Sequence, residues 1–180
     1  AERCIAELQR GRAIALTDAT TSTSSTDISC HFLQLVESMS DQALEALMIA
    51  KRCQLVLSRP RALALGLMVD SSAVCLELAS NTPVQTVRNW AGLNPMLPGN
   101  GHDPANHLGG NTLVDAAETI IAEKRFNDNI RCAKASLNLA HHAHVLPAFI
   151  MHAAESKPDH ILGVNTQAAL SFGDHSGKLM

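Results

Sequence analysis

Short apolar runs alternate with helix-period segments along most of this chain, and that alternation confines it to an α/β architecture. Ile5 and Leu8 share a face of a short helix that Gly11 ends, and Ala13 to Leu16 is a compact apolar run suited to a buried strand. Ser40 and Asp41 open a helix in which Leu44, Leu47 and Met48 fall on one stripe. It closes near Lys51 and Arg52, where cations suit the helix dipole. Gln54 to Leu57 is expected to be a second strand. Arg59-Pro60-Arg61 then starts a short helix with proline in its first turn, and Gly66 closes it. Val74 to Ala79 alternates Val74, Leu76 and Leu78 against Cys75 and Glu77, the pattern of a third strand. Asn81 or Thr82, followed by Pro83, caps a helix carrying Val84, Val87 and Trp90. Thr112 to Lys124 and Ser136 to His144 read as further helices, and Val145 to Ile150 as a final strand. No internal repeat interrupts the order.

With 180 residues, 46% hydrophobic and 17% charged, and a net charge of −3, the chain fits one domain, residues 1–170. Residues 171–180 lack apolar periodicity and are expected to form an unstructured tail. One Trp, four Phe and no Tyr leave the core to aliphatic side chains and offer no stacking platform for bases. The near-neutral charge leaves no basic footprint, so nucleic acid is not the expected partner. Cys4, Cys30, Cys53, Cys75 and Cys132 are odd in number and contain no CxxC pair, which signals neither a disulfide framework nor a zinc knuckle. A reducing cytoplasm follows as the expected compartment. No window approaches the roughly 18 apolar residues of a membrane span. The opening AERCIAELQRGR is a charged amphipathic segment rather than a signal peptide, so no membrane is expected as partner.

Two segments without periodicity hold most of the candidate chemistry. The first, Thr17 to Asp27, follows the first strand, and its hydroxyls compete for backbone hydrogen bonds, favouring loop and cap. Asp18 and Asp27 could give a magnesium ion two carboxylates, yet the hydroxyls between them are poor replacements for anionic ligands. The alternatives are an ordinary Ser/Thr loop, or a cradle in which Thr20, Thr21, Ser22 and Thr23 bind an anionic or polyhydroxylated ligand as neutral donors. The second segment, Gly92 to Gly110, is rich in Gly, Pro and Asn and holds His102, Asp103 and His107. At its end, Gly109-Gly110-Asn111-Thr112 precedes a helix, a turn suited either to a phosphate or carboxylate or simply to an N-cap.

Outside those segments, Arg59 and Arg61 flank Pro60 where an anion clamp would be well placed, although exposed arginines are common. His141, His142 and His144 crowd one helix end without a carboxylate or Cys at ligand spacing, and read as an ordinary final turn. Cys53 and Cys75 read as core rather than nucleophile, and Glu77 as solvent-facing.

In order, these pieces resemble the 3,4-dihydroxy-2-butanone 4-phosphate synthase family of riboflavin biosynthesis. The segments that carry the resemblance are IAELQRGRAIALTD, MSDQALEALMIAKRCQLVLSRPRALALGL, PGNGHDP with GGNTLVDAAETII, and NDNIRCAKASLNLAHHAHVLPAFI, together roughly residues 2–152. The resemblance implies a single-domain α/β sandwich, a homodimer, and an enzyme that converts ribulose 5-phosphate to a four-carbon ketone phosphate and formate. It places His102 at the family's P-G-H histidine. Departures fall on the chemistry: of the family's acidic signature only Asp18 and Asp27 remain, and its metal-binding histidine is Asn111 here.

The implied reading is a diverged enzyme that uses no cofactor, with a magnesium ion on Asp18 and Asp27 as the alternative. It acts on a small polar or anionic metabolite by metal-independent proton transfer of lyase, isomerase or cyclase type. His102, Asp18 and Asp27 would be catalytic. Thr20, Thr21, Ser22, Thr23, Gly109, Gly110, Asn111, Thr112 and Arg59 would bind substrate. The rivals are an authentic synthase with a remodelled site and a non-catalytic paralogue that binds a ligand or partner.

Overall fold

The computed structural model describes residues 1–19, 28–93, 126–154 and 157–173. Helix α1 (Glu2–Gln9) leads into strand β1 (Ile14–Ala19). Gly11, between them, has φ +71°, and a Cβ there would meet Ser38 Cβ at 2.8 Å, so both the turn and the close approach require glycine. β1 runs on through Thr17, Asp18 and Ala19, the first three residues of the expected hydroxyl loop, because all three pair with Cys30, Ser29 and Ile28.

Ile28–Leu35, to which the apolar pattern gives no element, is strand β2. It pairs with β1 on one side and with residues Phe149 to Ala154 on the other, and its Leu33 and Leu35 lie in the core. A 3-10 turn (Val36–Ser38) precedes helix α2 (Asp41–Ala50), whose N-cap Ser40 accepts a hydrogen bond from Ala43 N, as the sequence leads one to expect. Strand β3 (Cys53–Ser58), helix α3 (Arg59–Ala64) and strand β4 (Ala73–Leu78) follow within a residue or two of their expected positions. Helix α4 (Val84–Ala91) is capped by Pro83 itself rather than by Asn81 or Thr82.

The helix expected over Ser136 to His144 is the C-terminal half of a longer one, α5 (Phe126–Ala143). Strand β5 is Ala148–Ala154, displaced from the expected Val145 to Ile150. Val145 donates back to Ala140 O and so closes α5, and Pro147 has no N–H for a ladder. β5 is not the last strand: β6 (Gly163–Asn165) and a short helix α6 (Thr166–Leu170) come after it. The helix expected over Thr112 to Lys124 lies outside the described residues.

The six described strands form one sheet in the order β4-β3-β5-β2-β1-β6, antiparallel throughout except for the parallel pair β1 and β6. Helices cover both faces. On one, Cys4 and Leu8 of α1 and Cys132, Ala135 and Leu139 of α5 pack on Ile14, Leu16, Leu33, Leu35 and Phe149. On the other, Leu44 and Met48 of α2, Ala62 of α3, and Val87 and Trp90 of α4 pack on Leu55, Leu57, Leu76 and Ile150. The chain is therefore a mixed α/β fold with a helix layer on each side of its sheet. Central β5 sends Phe149 and Met151 into one core and Ala148 and Ile150 into the other, so it reads as a continuous apolar run. Truncating the fully buried Phe149 to Ala would cost about 3–5 kcal/mol.

Among the described residues no helix is long and apolar enough to cross a membrane. All five cysteines are buried, and none of them forms a disulfide. The segment after α6 is held down as far as Phe172, whose carbonyl accepts from Asn138 Nδ2 at 3.0 Å and whose ring meets His142 edge-on.

Candidate functional site

The register fixes which chemistry-bearing residues share an end of the sheet. Asp18 and Ser29 pair near the end where β1 finishes and β2 begins, and the last residues of β5 and β6 lie at the same end. Arg59 follows β3 at the other end, beyond the Leu57–Ala148 pair. About seven residues along β2, or roughly 20 Å at about 3.3 Å per residue, separate the two rows. Arg59, exposed at the start of α3, therefore does not share a site with Asp18 in this chain. The antiparallel reversal between β3 and β5 decides this, and sequence spacing does not carry it.

Arg61 is also not a free anion clamp. Its guanidinium donates from Nε to Trp90 O at 2.8 Å and from Nη2 to Asn89 O, closing the C-terminal turn of α4. His142 packs against Phe172 and His141, and His144 takes a positive φ of 54° at the end of α5, so this histidine group completes a helix end. Cys53 and Cys75 are core residues, and Glu77 is exposed.

Asp27, Thr20, Thr21, Ser22, Thr23, His102, Gly109, Gly110, Asn111 and Thr112 lie outside the described residues, and Asp18 is described in its backbone alone. Among the described residues no group of three His, Cys, Asp or Glu side chains is placed to hold a metal ion.

The same sheet end carries a buried polar chain that the sequence pattern does not single out. His31, on β2, is 7% exposed, and its Nδ1 lies 3.5 Å from Cys132 Sγ on α5. Cys132 Sγ lies 3.8 Å from Thr166 Oγ1 at the start of α6, and that hydroxyl donates to Thr17 O on β1 at 3.4 Å. Thr17 Oγ1 in turn donates to Val164 O of β6 at 3.5 Å. Several elements meet in this chain of contacts, and its members Cys132 and Thr166 are essentially inaccessible. Buried polar groups persist where they are hydrogen-bonded, and here each contact ties one element to another. Thr17, read from sequence as the first loop hydroxyl, is instead a strand residue that fastens β1 to β6.

The one signal for His31 is its period-two relation to Leu33 and Leu35, which puts it on their face of the sheet. Ser29 and Gln34 dilute the apolar signal of that strand. Cys132 shares α5 with the buried Ala133, Ala135 and Leu139, so it reads as core until its contact with β2 is known.

On the opposite face of β2, Phe32 packs against His152 of β5 with ring centroids 5.3 Å apart. Burial holds the His152 imidazole below its usual pKa, with a hydrogen bond to Ala153 O opposing and the Lys51 charge adding to the effect.

No family model matches this chain, and no curated protein does. Among solved structures, it is similar to a crystal structure of 3,4-dihydroxy-2-butanone 4-phosphate synthase of Candida albicans. The identity is 14%, 98% of this chain and 89% of that chain are covered, and the TM-score is 0.46.

Proposed function

We propose that this chain is a diverged enzyme of the 3,4-dihydroxy-2-butanone 4-phosphate synthase type, acting on a small polar or anionic metabolite by metal-independent proton transfer. The observation that supports this reading is the position of β1 and β2. They pair up to Ala19 and Ile28, so the hydroxyl-rich connection between them begins and ends at the sheet end that carries His31, Cys132 and Thr166. In the proposal Asp18, Asp27 and His102 handle protons on the ligand. Thr20 to Thr23 and Gly109 to Thr112 supply neutral and backbone donors, and His31 is the buried imidazole behind them. An imidazole changes protonation state near neutral pH, which suits it to enolisation and its reversal. A homodimer and a cytoplasmic setting belong to the same proposal.

The test is proton exchange at the carbon beside the carbonyl of ribulose 5-phosphate in deuterated water, followed by NMR with a chelator present. Exchange that persists without divalent metal, releases no formate, and falls in His102→Gln and Asp18→Asn supports the proposal. Magnesium-dependent formate release that is lost in Asp18→Ala or Asp27→Ala would overturn it in favour of the authentic synthase. Complete inertness with and without magnesium, across a panel of sugar phosphates, would favour a ligand- or partner-binding scaffold.

A further inference from the structure

The five thiols differ in what they touch. Burial pushes the Cys4 and Cys30 thiols up, Cys53 up to about 11, and Cys75 up to about 12, where the neighbouring Cys132 adds to the effect. Cys53 also spends its proton on Leu47 O at 3.6 Å. Such thiols keep their protons and are poor nucleophiles. Among the described residues, Cys132 is the thiol set against an imidazole nitrogen, at 3.5 Å from His31 Nδ1, with the Thr166 hydroxyl on another side at 3.8 Å. A base for the proton and a donor for the resulting anion thus converge on one sulfur. Cys132 is 1% exposed, His31 7% and Thr166 0%, so a reactant reaches the sulfur only as α5 or α6 opens locally from the sheet, and a small uncharged one needs the smallest opening.

We propose that Cys132 and His31 form a peroxide-reactive pair, in which hydrogen peroxide converts the Cys132 thiol to a sulfenic acid. His31 Nδ1 takes the thiol proton. The sulfur lone pair attacks one peroxide oxygen, forming the S–O bond and breaking the O–O bond. The departing hydroxide takes the proton back from His31 and leaves as water. Sulfur is oxidised, peroxide is reduced, and His31 ends neutral. While the sulfur carries charge, the Thr166 hydroxyl turns its single proton from Thr17 O to the sulfur. The added oxygen lies where α5, α6 and the sheet are close-packed, so it strains the Thr166–Thr17 contact that docks α6 on β1. A thiol reductant, too large for the closed site, reverses the step once the strained α6 opens.

This inference concerns the modification of the protein itself and needs no turnover, so it stands or falls separately from the proposed enzyme activity. The full chain is treated with sub-millimolar hydrogen peroxide, quenched into denaturant containing dimedone, and the labelled cysteines are quantified by peptide mass spectrometry. Labelling of Cys132 at least ~10-fold faster than of Cys4, Cys30, Cys53 and Cys75 is expected, as is a similar loss in His31→Gln. Peroxide is also expected to lower the melting temperature of the wild type reversibly and to leave that of Cys132→Ala unchanged. Equal labelling of all five thiols marks reaction through unfolding and overturns the proposal, as does an unchanged rate in a folded His31→Gln. Should that variant fail to fold, the ranking of the five wild-type thiols decides alone.

Discussion

Arg61 Nε donates to Trp90 O at 2.8 Å, so a side chain at the start of α3 closes the end of α4, twenty-nine residues on. Its second bond, to Asn89 O, satisfies another carbonyl of the same turn. Hydrogen bonds from a charged donor contribute about 1.5–3 kcal/mol, so Arg61→Met is expected to lose about 2 kcal/mol in urea denaturation. Arg61→Lys should recover less than half of that, because an ammonium cannot span two carbonyls as the guanidinium fork does. Gly92, at the end of the same helix, has φ +91°, and a Cβ there would meet the Arg61 guanidinium at 3.4 Å. Gly92→Ala should therefore cost about 1–2 kcal/mol as well. Losses under about 0.5 kcal/mol in both Arg61→Met and Gly92→Ala, the range of an ordinary surface change, would show that this junction does not hold the two helices together.

Arg88 separates a weak ion pair from a strong cap. Its Nε lies 2.6 Å from Asp41 Oδ1, and its Nη2 donates to Met39 O at 2.6 Å. Asp41 is 68% exposed and Arg88 only 17%. Water screens the carboxylate, so Asp41→Asn is expected to cost below about 1 kcal/mol. Arg88→Met leaves the Met39 carbonyl short of its donor and should cost about 2 kcal/mol. Paired denaturation curves check the ranking, and a larger loss in Asp41→Asn would reverse it.

Alkaline stability follows from Cys53 and Cys75. Their folded pKa values, about 11 and about 12, lie above the ordinary 9.0 because burial disfavours the thiolate. A raised folded pKa gives stability that is complete below pH 9 and lost as pH rises toward 11 and 12, since the unfolded chain releases its protons first. Cys75→Val is expected to flatten the decline in melting temperature between pH 9 and about 12, the window set by that shift. A decline as steep as that of the wild type would assign the effect elsewhere.

His152 acts at the other end of the pH scale. Its folded pKa is depressed below 6.5, chiefly by burial, and its ring packs against Phe32, so the unfolded chain takes up a proton before the folded one. The corresponding stability is present above pH 6.5 and is lost as pH falls through the folded value. Replacing His152 by Phe should remove that part of the acid sensitivity while keeping the ring contact. Histidine NMR titration reads the folded pKa directly, and a value at or above 6.5 would contradict the assignment.

The elements legible in the sequence are those whose signals are local. Ser40 caps α2, Pro60 lies in the first turn of α3, and Val74 to Leu78 falls within β4, each close to its expected position. β2 is hidden because Ser29, His31 and Gln34 break its apolar run, and it is a strand because β1 and β5 pair with it on both sides. β5 starts later than its apolar pattern suggests because the apolar pair Val145 and Leu146 adjoins it. The reversal at the end of α5, with His144 at positive φ, sets where its ladder begins.

By itself, the sequence determined most of the helices and strands of a chain with an aliphatic core, because hydrophobic period and capping act over one or two turns, but not β2 and β6, which break the expected alternation. It also determined that the segment after β1 is rich in hydroxyls and poor in carboxylates. Only the tertiary structure decided that Thr17 fastens two strands, that Arg59 stands at the far end of the sheet from Asp18, and that Cys132 meets His31 across 101 positions of chain. Strand order and register make such contacts, and these are fixed by the packing of distant faces rather than by any neighbour in sequence.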